Sequence, residues 1–275
     1  MSSAKSLASV RALMRAHSIE PTKALGQNFL TDLNITHKIV RAAGPLAGHS
    51  VLEIGPGPGG LSRAILDEGP EVLIAVEQDT RLQGLLAEIS AAHPNFSVLF
   101  ADALQTDLCQ LAPAPRRVIA NLPYNIATPL LLAWLKQWHE SPGAFASLTL
   151  MFQKEVVDRL IAQPRCKAYG RLSVMAQWVC EVHACFDLPA HLFLPPPKVT
   201  STVAHFIRQE KIAGDFDKMQ QVVAAAFNQR RKTLKKAMKG PYPQIEATLN
   251  DLGIRATARA EELSVAQFAA LAQAL

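Results

Sequence analysis

The stretch Val51–Ile65, "VLEIGPGPGGLSRAI", runs from an apolar strand-like segment through a glycine loop into a helical pattern. Gly55, Gly57 and Gly60 match G-x-G-x-x-G, the loop that seats a nucleotide-type ligand between a strand and a helix. Two details argue against a pyrophosphate there. Pro56 and Pro58 carry no backbone N–H, and a pyrophosphate needs such donors. Glu53 sets a carboxylate at the start of the loop, where phosphate charge would lie, and is better matched to a cationic ligand. S-adenosylmethionine has a sulfonium, an ammonium and no phosphate, and is favoured over a dinucleotide, which stays open as the alternative.

Outward from this unit, strand-like runs at Val51–Gly55, Val72–Glu77, Phe96–Ala101 and Val118–Asn121 alternate with helical patterns at Gly60–Asp67, Thr80–Ala91 and Gln105–Leu111. A strong helix follows at Ile126–Trp138. This alternation predicts an α/β fold, Rossmann-like, with a mostly parallel sheet and crossover helices. Residues 145–153, 178–188 and 201–209 are further strands, with helices at 153–162 and 169–178 between them. After Gln209 the pattern is all helical, at 216–228, 231–238, 245–252 and 265–274. A boundary near Lys211 is therefore expected, with a catalytic domain at 1–210 and a small helical domain at 211–275.

Composition narrows the class. Hydrophobic residues make up 49% of 275, so a sizeable core is available and global disorder is excluded. No apolar run reaches the length of a membrane span, and the N-terminal segment lacks a signal-peptide core; it is expected to form a basic surface helix. Cys109, Cys166, Cys180 and Cys185 form no C-x-x-C pair. They are expected to be reduced core thiols in the cytoplasm rather than a zinc site around His183, and no metal is expected.

Charge is unevenly spread. Val51–Gln110 has two basic residues against nine acidic, whereas Arg230–Lys239 has six basic and none acidic. A basic end beside an acidic centre suggests a polyanion gripped outside the ligand site. On a helix over 231–238, Arg231, Lys235 and Lys239 form one stripe, with Lys232 and Lys236 beside it. Lys5, Arg11, Arg15 and Lys23 are the alternative grip.

The strand ends carry the chemistry. Glu77 closes the second strand and is placed to accept ribose hydroxyls. Asp102 follows the third and is placed to accept from an adenine amine. The fourth ends in "NLPYN", Asn121–Asn125. The exocyclic amine of adenine is a poor nucleophile because its lone pair delocalises into the ring. Acceptance of its N–H groups by the Asn121 side-chain oxygen and the Leu122 carbonyl directs the lone pair toward a methyl donor and stabilises the developing positive charge. Pro123 fixes the turn, and Tyr124 offers a ring for stacking on the base.

With these residues in view, "KALGQNFL" (Lys23–Leu30), "LEIGPGPGGLS" (Leu52–Ser62), "NLPYNIATP" (Asn121–Pro129), "FLPPPKVTSTV" (Phe193–Val203) and "FNQRRKTLKKA" (Phe227–Ala237) resemble the ribosomal RNA adenine dimethylase family. The resemblance is nearest to its bacterial small-subunit branch. It implies a class I S-adenosylmethionine-dependent methyltransferase with a small all-helical C-terminal domain, acting as a monomer. The implied reaction is dimethylation of the exocyclic amines of two adjacent adenosines near the 3′ end of small-subunit (16S) ribosomal RNA, on the RNA or an immature particle, during ribosome biogenesis. It implies that Asn28 and Leu30 border the donor. Gly55 and Gly57 would line the methionine part, Glu77 the ribose and Asp102 the adenine, while Asn121 and Tyr124 hold the base and Phe193 is a second stacking face. Ala101 stands where the family commonly has Gly, and Ser62 where Thr is frequent. The rivals are a large-subunit-modifying sister enzyme and a non-catalytic RNA-binding assembly factor.

Overall fold

The computed structural model describes residues 8–22, 25–210 and 212–275, so Lys5, Lys23 and Lys211 lie outside the described residues. The chain begins with α1 (Val10–Ala16), β1 (Phe29–Leu30), α2 (Leu33–Ala42), β2 (Ser50–Ile54), α3 (Gly60–Asp67) and β3 (Val72–Glu77). It continues with α4 (Gln83–Ala92), β4 (Phe96–Phe100), β5 (Arg116–Ala120), α5 (Tyr124–Glu140) and β6 (Ser147–Gln153). Next come α6 (Lys154–Leu160), α7 (Arg171–Val179), β7 (Cys180–Leu188), β8 (Phe193–Leu194) and β9 (Ser201–Arg208). Four helices close it: α8 (Phe216–Phe227), α9 (Leu234–Met238), α10 (Ile245–Asp251) and α11 (Val265–Ala274).

Seven strands form one sheet in the order β4-β3-β2-β5-β6-β9-β7. β2 pairs in parallel with β3 and β5, β3 with β4, and β5 with β6. Every residue of β2 is buried, as its near-continuous apolar run requires of a central parallel strand covered on both faces. From β2 the chain builds outward through β3 to β4, then returns to lay β5 on the other side. The sheet thus has a switch point between β2 and β5, where a crevice opens at the carboxyl ends of the strands. A separate two-stranded ribbon pairs β1 with β8, Phe29 opposite Leu194 and Leu30 opposite Phe193.

The glycine loop explains itself sterically. Gly57 has φ +53°, and a Cβ there would lie 2.9 Å from the Phe29 ring. A Cβ on Gly60 would meet the Leu30 carbonyl oxygen at 2.7 Å, so only glycine lets α3 start against β1.

The chain separates into two compact units. One comprises Met1–Ala133, Pro142–Lys154 and Ala184–Phe206; the other comprises Trp134–Ser141, Glu155–His183 and Ile207–Leu275. A single cut near residue 211 does not describe this division. The reason lies in the second unit's core, where α7 packs with α8 and α11. There Trp178 stacks on Phe216 with ring centres 5.9 Å apart, and Phe227 stacks on Phe268 at 5.7 Å.

Other local expectations are corrected. The helical pattern at 105–111 is a turn followed by a short 3-10 segment, Leu108–Gln110, which Asp107 caps by accepting the Cys109 N–H, so the helical start falls at Leu108 and not at Gln105. Thr80–Leu82 is likewise 3-10 before α4. The basic helix is shorter than expected: Thr233 is extended and stands just before α9, which holds only Leu234–Met238, so no helical stripe runs from Arg231 to Lys239. The N-terminal helix α1 buries Val10, Leu13 and Met14 and leaves Arg11 and Arg15 exposed. Of the cysteines only Cys180 is buried, while Cys166 and Cys185 are exposed, so the thiols are not all core residues. Among the described residues no group of three or more His, Cys, Asp or Glu is gathered as a metal would need, and no helix is long and apolar enough to cross a membrane.

Candidate active site

A cavity of about 300 Å³ lies in the first unit at the carboxyl ends of β2, β3, β4 and β5. Each strand delivers part of its wall: Gly55 and Gly57 after β2, Glu77 and Gln78 from β3, Asp102 after β4, and Asn121 through Ile126 after β5. The segment Leu25–Phe29 supplies the remaining wall.

The glycine loop has no phosphate cradle. Pro56 and Pro58 lack N–H groups. The Gly55 N–H donates to the Val76 carbonyl at 2.9 Å and the Gly59 N–H to the Pro56 carbonyl at 3.0 Å. The Gly57 N–H donates to Glu77 Oε2 at 3.2 Å. A pyrophosphate entering here would find those donors spent and a carboxylate facing it. The cavity therefore fits a nucleoside ligand without phosphates, and its volume is at the lower end for small-molecule sites, about 300–1,000 Å³.

Glu77 is 6% exposed. Its Oε1 accepts from the Gln78 and Asp79 N–H groups at 2.8 Å each. Burial raises its pKa, and the backbone donors from Asp79, Gly57 and Gln78 oppose that rise. A carboxylate offers about four lone-pair sites. With three taken, one site remains on Oε2, at the cavity wall. Behind it Asp79 is gripped by Arg81 and by Gln27, whose Nε2 donates to Oδ2 at 2.9 Å. The Arg81 hydrogen bond leads in holding the Asp79 carboxyl below its ordinary value. Asp102 accepts the Leu104 N–H on Oδ1 at 2.9 Å, which fixes its turn at the cavity wall. Outside glycine, positive φ among the described residues is confined to Ser18 and Arg165, so Ala101 occupies backbone that alanine adopts without strain.

The "NLPYN" segment is locked from both ends. The Asn121 side-chain amide donates from Nδ2 to the Asn28 carbonyl at 2.9 Å, which leaves Oδ1 as the other end of the amide. At the start of α5 the N–H groups of Ile126 and Ala127 both donate to the Pro123 carbonyl at 3.1 Å. The helix therefore passes over the Leu122 carbonyl. Pro129 has no N–H for the carbonyl four residues back, that of Asn125. Tyr124 lines the cavity, and its hydroxyl lies 2.5 Å from Ser201 Oγ. Burial raises the Tyr124 pKa, and the Ser201 hydrogen bond opposes it.

Of the residues singled out from sequence, Asn28, Gly55, Gly57, Glu77, Asp102, Asn121, Leu122, Pro123 and Tyr124 meet at this cavity. Leu30 and Phe193 do not line it; they pair with each other across the β1–β8 ribbon and are 5% and 3% exposed in the core. Glu53 does not face the ligand space either. It is fully buried, accepts from Ser62 Oγ at 2.6 Å, and has no partner for Oε1. Desolvation pushes its pKa up to about 8, against the Ser62 hydrogen bond, so the ligand-directed charge read from sequence is corrected to a buried acid. The sequence reading missed Gln27, Phe29 and Asn125. All three stand inside the quoted motifs, and the signal for Phe29 is the glycine at position 57 that makes room for its ring.

The profile of the family described as ribosomal RNA adenine dimethylase matches residues 20–275. A protein of Ruegeria sp. (strain TM1040) called ribosomal RNA small subunit methyltransferase A is 50% identical over 100% of this chain and 99% of its own. One of the same name from Paramagnetospirillum magneticum is 50% identical over 97% of this chain and 94% of its own. Among solved structures, a dimethyladenosine transferase from Plasmodium falciparum superposes with a TM-score of 0.77 at 25% identity, covering 88% of this chain and 95% of that one. The 23S rRNA methyltransferase ErmE does so at 0.66 and 26%, covering 90% and 99%. With a match that spans the glycine loop, the pinned amide and the helical end alike, the chain belongs to the ribosomal RNA adenine dimethylase family and is an rRNA adenine dimethyltransferase.

Proposed function

We propose that this enzyme transfers two methyl groups to the exocyclic amine of each of two adjacent adenosines near the 3′ end of small-subunit (16S) ribosomal RNA. In this reading it works in the cytoplasm, as a monomer, on the RNA or an immature small-subunit particle during ribosome biogenesis. S-adenosylmethionine supplies an electrophilic methyl on a sulfonium. Glu77 accepts a ribose hydroxyl, Asp102 the adenine amine of the donor, and Gly55, Gly57 and Asn28 border the rest. The target base stacks on Tyr124. In the first transfer its amine gives one N–H to Asn121 Oδ1 and the other to the Leu122 carbonyl; in the second the one remaining N–H keeps one of these acceptors, so the nitrogen lone pair points at the methyl carbon each time. As the N–C bond forms and the C–S bond breaks, the positive charge on nitrogen faces those two acceptors until a proton leaves to solvent.

The observation that carries this reading is the orientation of Asn121: its amide nitrogen is held by Asn28, beside a Leu122 carbonyl that α5 leaves aside. The small-subunit target is supported by the names of relatives that are half identical over the whole chain. The exposed cations Arg231, Lys232, Lys236 and Lys239 are assigned to the RNA backbone. Arg230 and Lys235 are spent on Glu261 and Glu246, at 3.0 and 2.6 Å. Primer extension across unmethylated small- and large-subunit RNA tests the reading. Enzyme and donor are expected to produce stops at two neighbouring adenosines; a stop on large-subunit RNA instead would assign the sister activity.

A further inference from the structure

We propose that Ser201 is a positioning residue for the reaction, holding the Tyr124 ring at the angle at which the target base stacks. The inference rests on the stacking role assigned to Tyr124 above. A tyrosine that begins a helix is anchored at its Cα, but its ring still turns about two side-chain bonds. The backbone end is fixed here by Pro123 and by the two N–H groups that converge on the Pro123 carbonyl at 3.1 Å. The far end is fixed by the 2.5 Å hydrogen bond between the Tyr124 hydroxyl and Ser201 Oγ. Ser201 is 0% exposed, at the first residue of β9, so water is a poor substitute for its hydroxyl.

The strand that carries Ser201 is itself clamped on either side of it. The Lys154 N–H donates to the Thr200 carbonyl at 2.9 Å. Thr202 Oγ1 donates to Asp187 Oδ1 at 2.6 Å, and Lys154 Nζ donates to Asp187 Oδ2 at 2.9 Å. Successive strand residues point to opposite faces. Thr202 therefore ties the strand to Asp187 on one face while Ser201 reaches Tyr124 on the other. These ties hold the start of β9 against its sheet neighbours, β7 and the end of β6, and so fix where the Ser201 hydroxyl stands. A stacking platform needs that, because a base laid on a tilted ring has its amine displaced from Asn121 Oδ1.

The test uses the full-length enzyme with small-subunit particles. Methyl-transfer kinetics and donor affinity by calorimetry are measured for wild type, Ser201→Ala, Tyr124→Phe, the double variant Ser201→Ala/Tyr124→Phe, and Tyr124→Ala. Ser201→Ala and Tyr124→Phe each remove one end of a single bond. Each is expected to lower kcat about tenfold, the range for one buried hydroxyl left without its partner. The double variant is expected to fall no further, and donor affinity is expected to hold in all, which also shows that the variants are folded. Wild-type kcat in Ser201→Ala, or losses that multiply in the double variant, overturns the proposal. Wild-type kcat in Tyr124→Ala overturns the stacking role itself, and with it the reason for positioning the ring, so the two failures are told apart by the variant that shows them.

Discussion

In the proposed reading Asn121 and Glu77 do different work at the ends of the two strands that flank β2, and single substitutions separate the two. As proposed, the Asn121 acceptor strengthens its bond only as charge develops on the base amine. Asn121→Ala is therefore expected to lower kcat roughly a hundredfold, with donor affinity little changed. Steady-state kinetics beside calorimetry check this; near-normal turnover removes the role. In the same reading Glu77 meets the donor in the ground state. Glu77→Ala is expected to weaken donor binding about ten- to a hundredfold and leave RNA binding intact, as calorimetry reads directly. Glu53 supplies a pH signature. The free chain ionises this carboxyl near 4.5, whereas the folded protein keeps its proton to about 8. Between those values the unfolded chain binds fewer protons than the native one, so stability present at low pH is lost as pH rises. Melting temperatures taken across that window are expected to show Glu53→Gln gaining on wild type toward alkaline pH, and parallel curves would contradict it. The sequence made Glu77, Asp102 and Asn121 legible, because strand-end position follows from period and spacing. Glu53 was misread for a physical reason. Alternation along β2 puts its side chain against Ser62 under α3, and a linear motif does not show which way a residue at the edge of a loop points.

At the scale of elements, the strands and the long helices were legible because their patterns are long and their burial is one-sided or complete. Helix α11 begins and ends where its apolar pattern does. Short pieces failed where extended backbone interrupts a helical pattern, and α9 is the instructive case. Thr233 interrupts the basic run, so the cations divide into two groups. Arg230 and Lys235 serve the second unit's own ion pairs, and Arg230 also donates to the Tyr169 carbonyl at 3.1 Å. Changing Arg231, Lys232 and Lys236 together to Ala is expected to weaken particle binding uniformly across RNA sequences. It should also flatten log affinity against log salt by roughly two units, through lost counterion release. Donor affinity should not move. Binding measured at several salt concentrations decides: parallel lines would make the segment a solvated surface and shift the grip to Arg11 and Arg15.

For the whole molecule, the family motifs disclosed the class of fold, but not how the chain is apportioned. Residues 155–183 read as a continuation of the alternating α/β pattern, yet they join the helical unit, because Tyr169 and Trp178 find their partners in Leu263, Phe227 and Phe216. A contact nearly a hundred positions away leaves no trace in local periodicity. The central claim is that one cavity methylates adenine amines of small-subunit RNA with a phosphate-free nucleoside donor. Mass spectrometry of nuclease-released oligonucleotides from small- and large-subunit particles lacking the modification tests it most directly, after incubation with donor and either wild type or Asn121→Ala. The account predicts dimethyladenosine at two adjacent positions with wild type and almost none with Asn121→Ala. Methylation of another base, methyl groups only on large-subunit RNA, or full dimethylation by Asn121→Ala would contradict it.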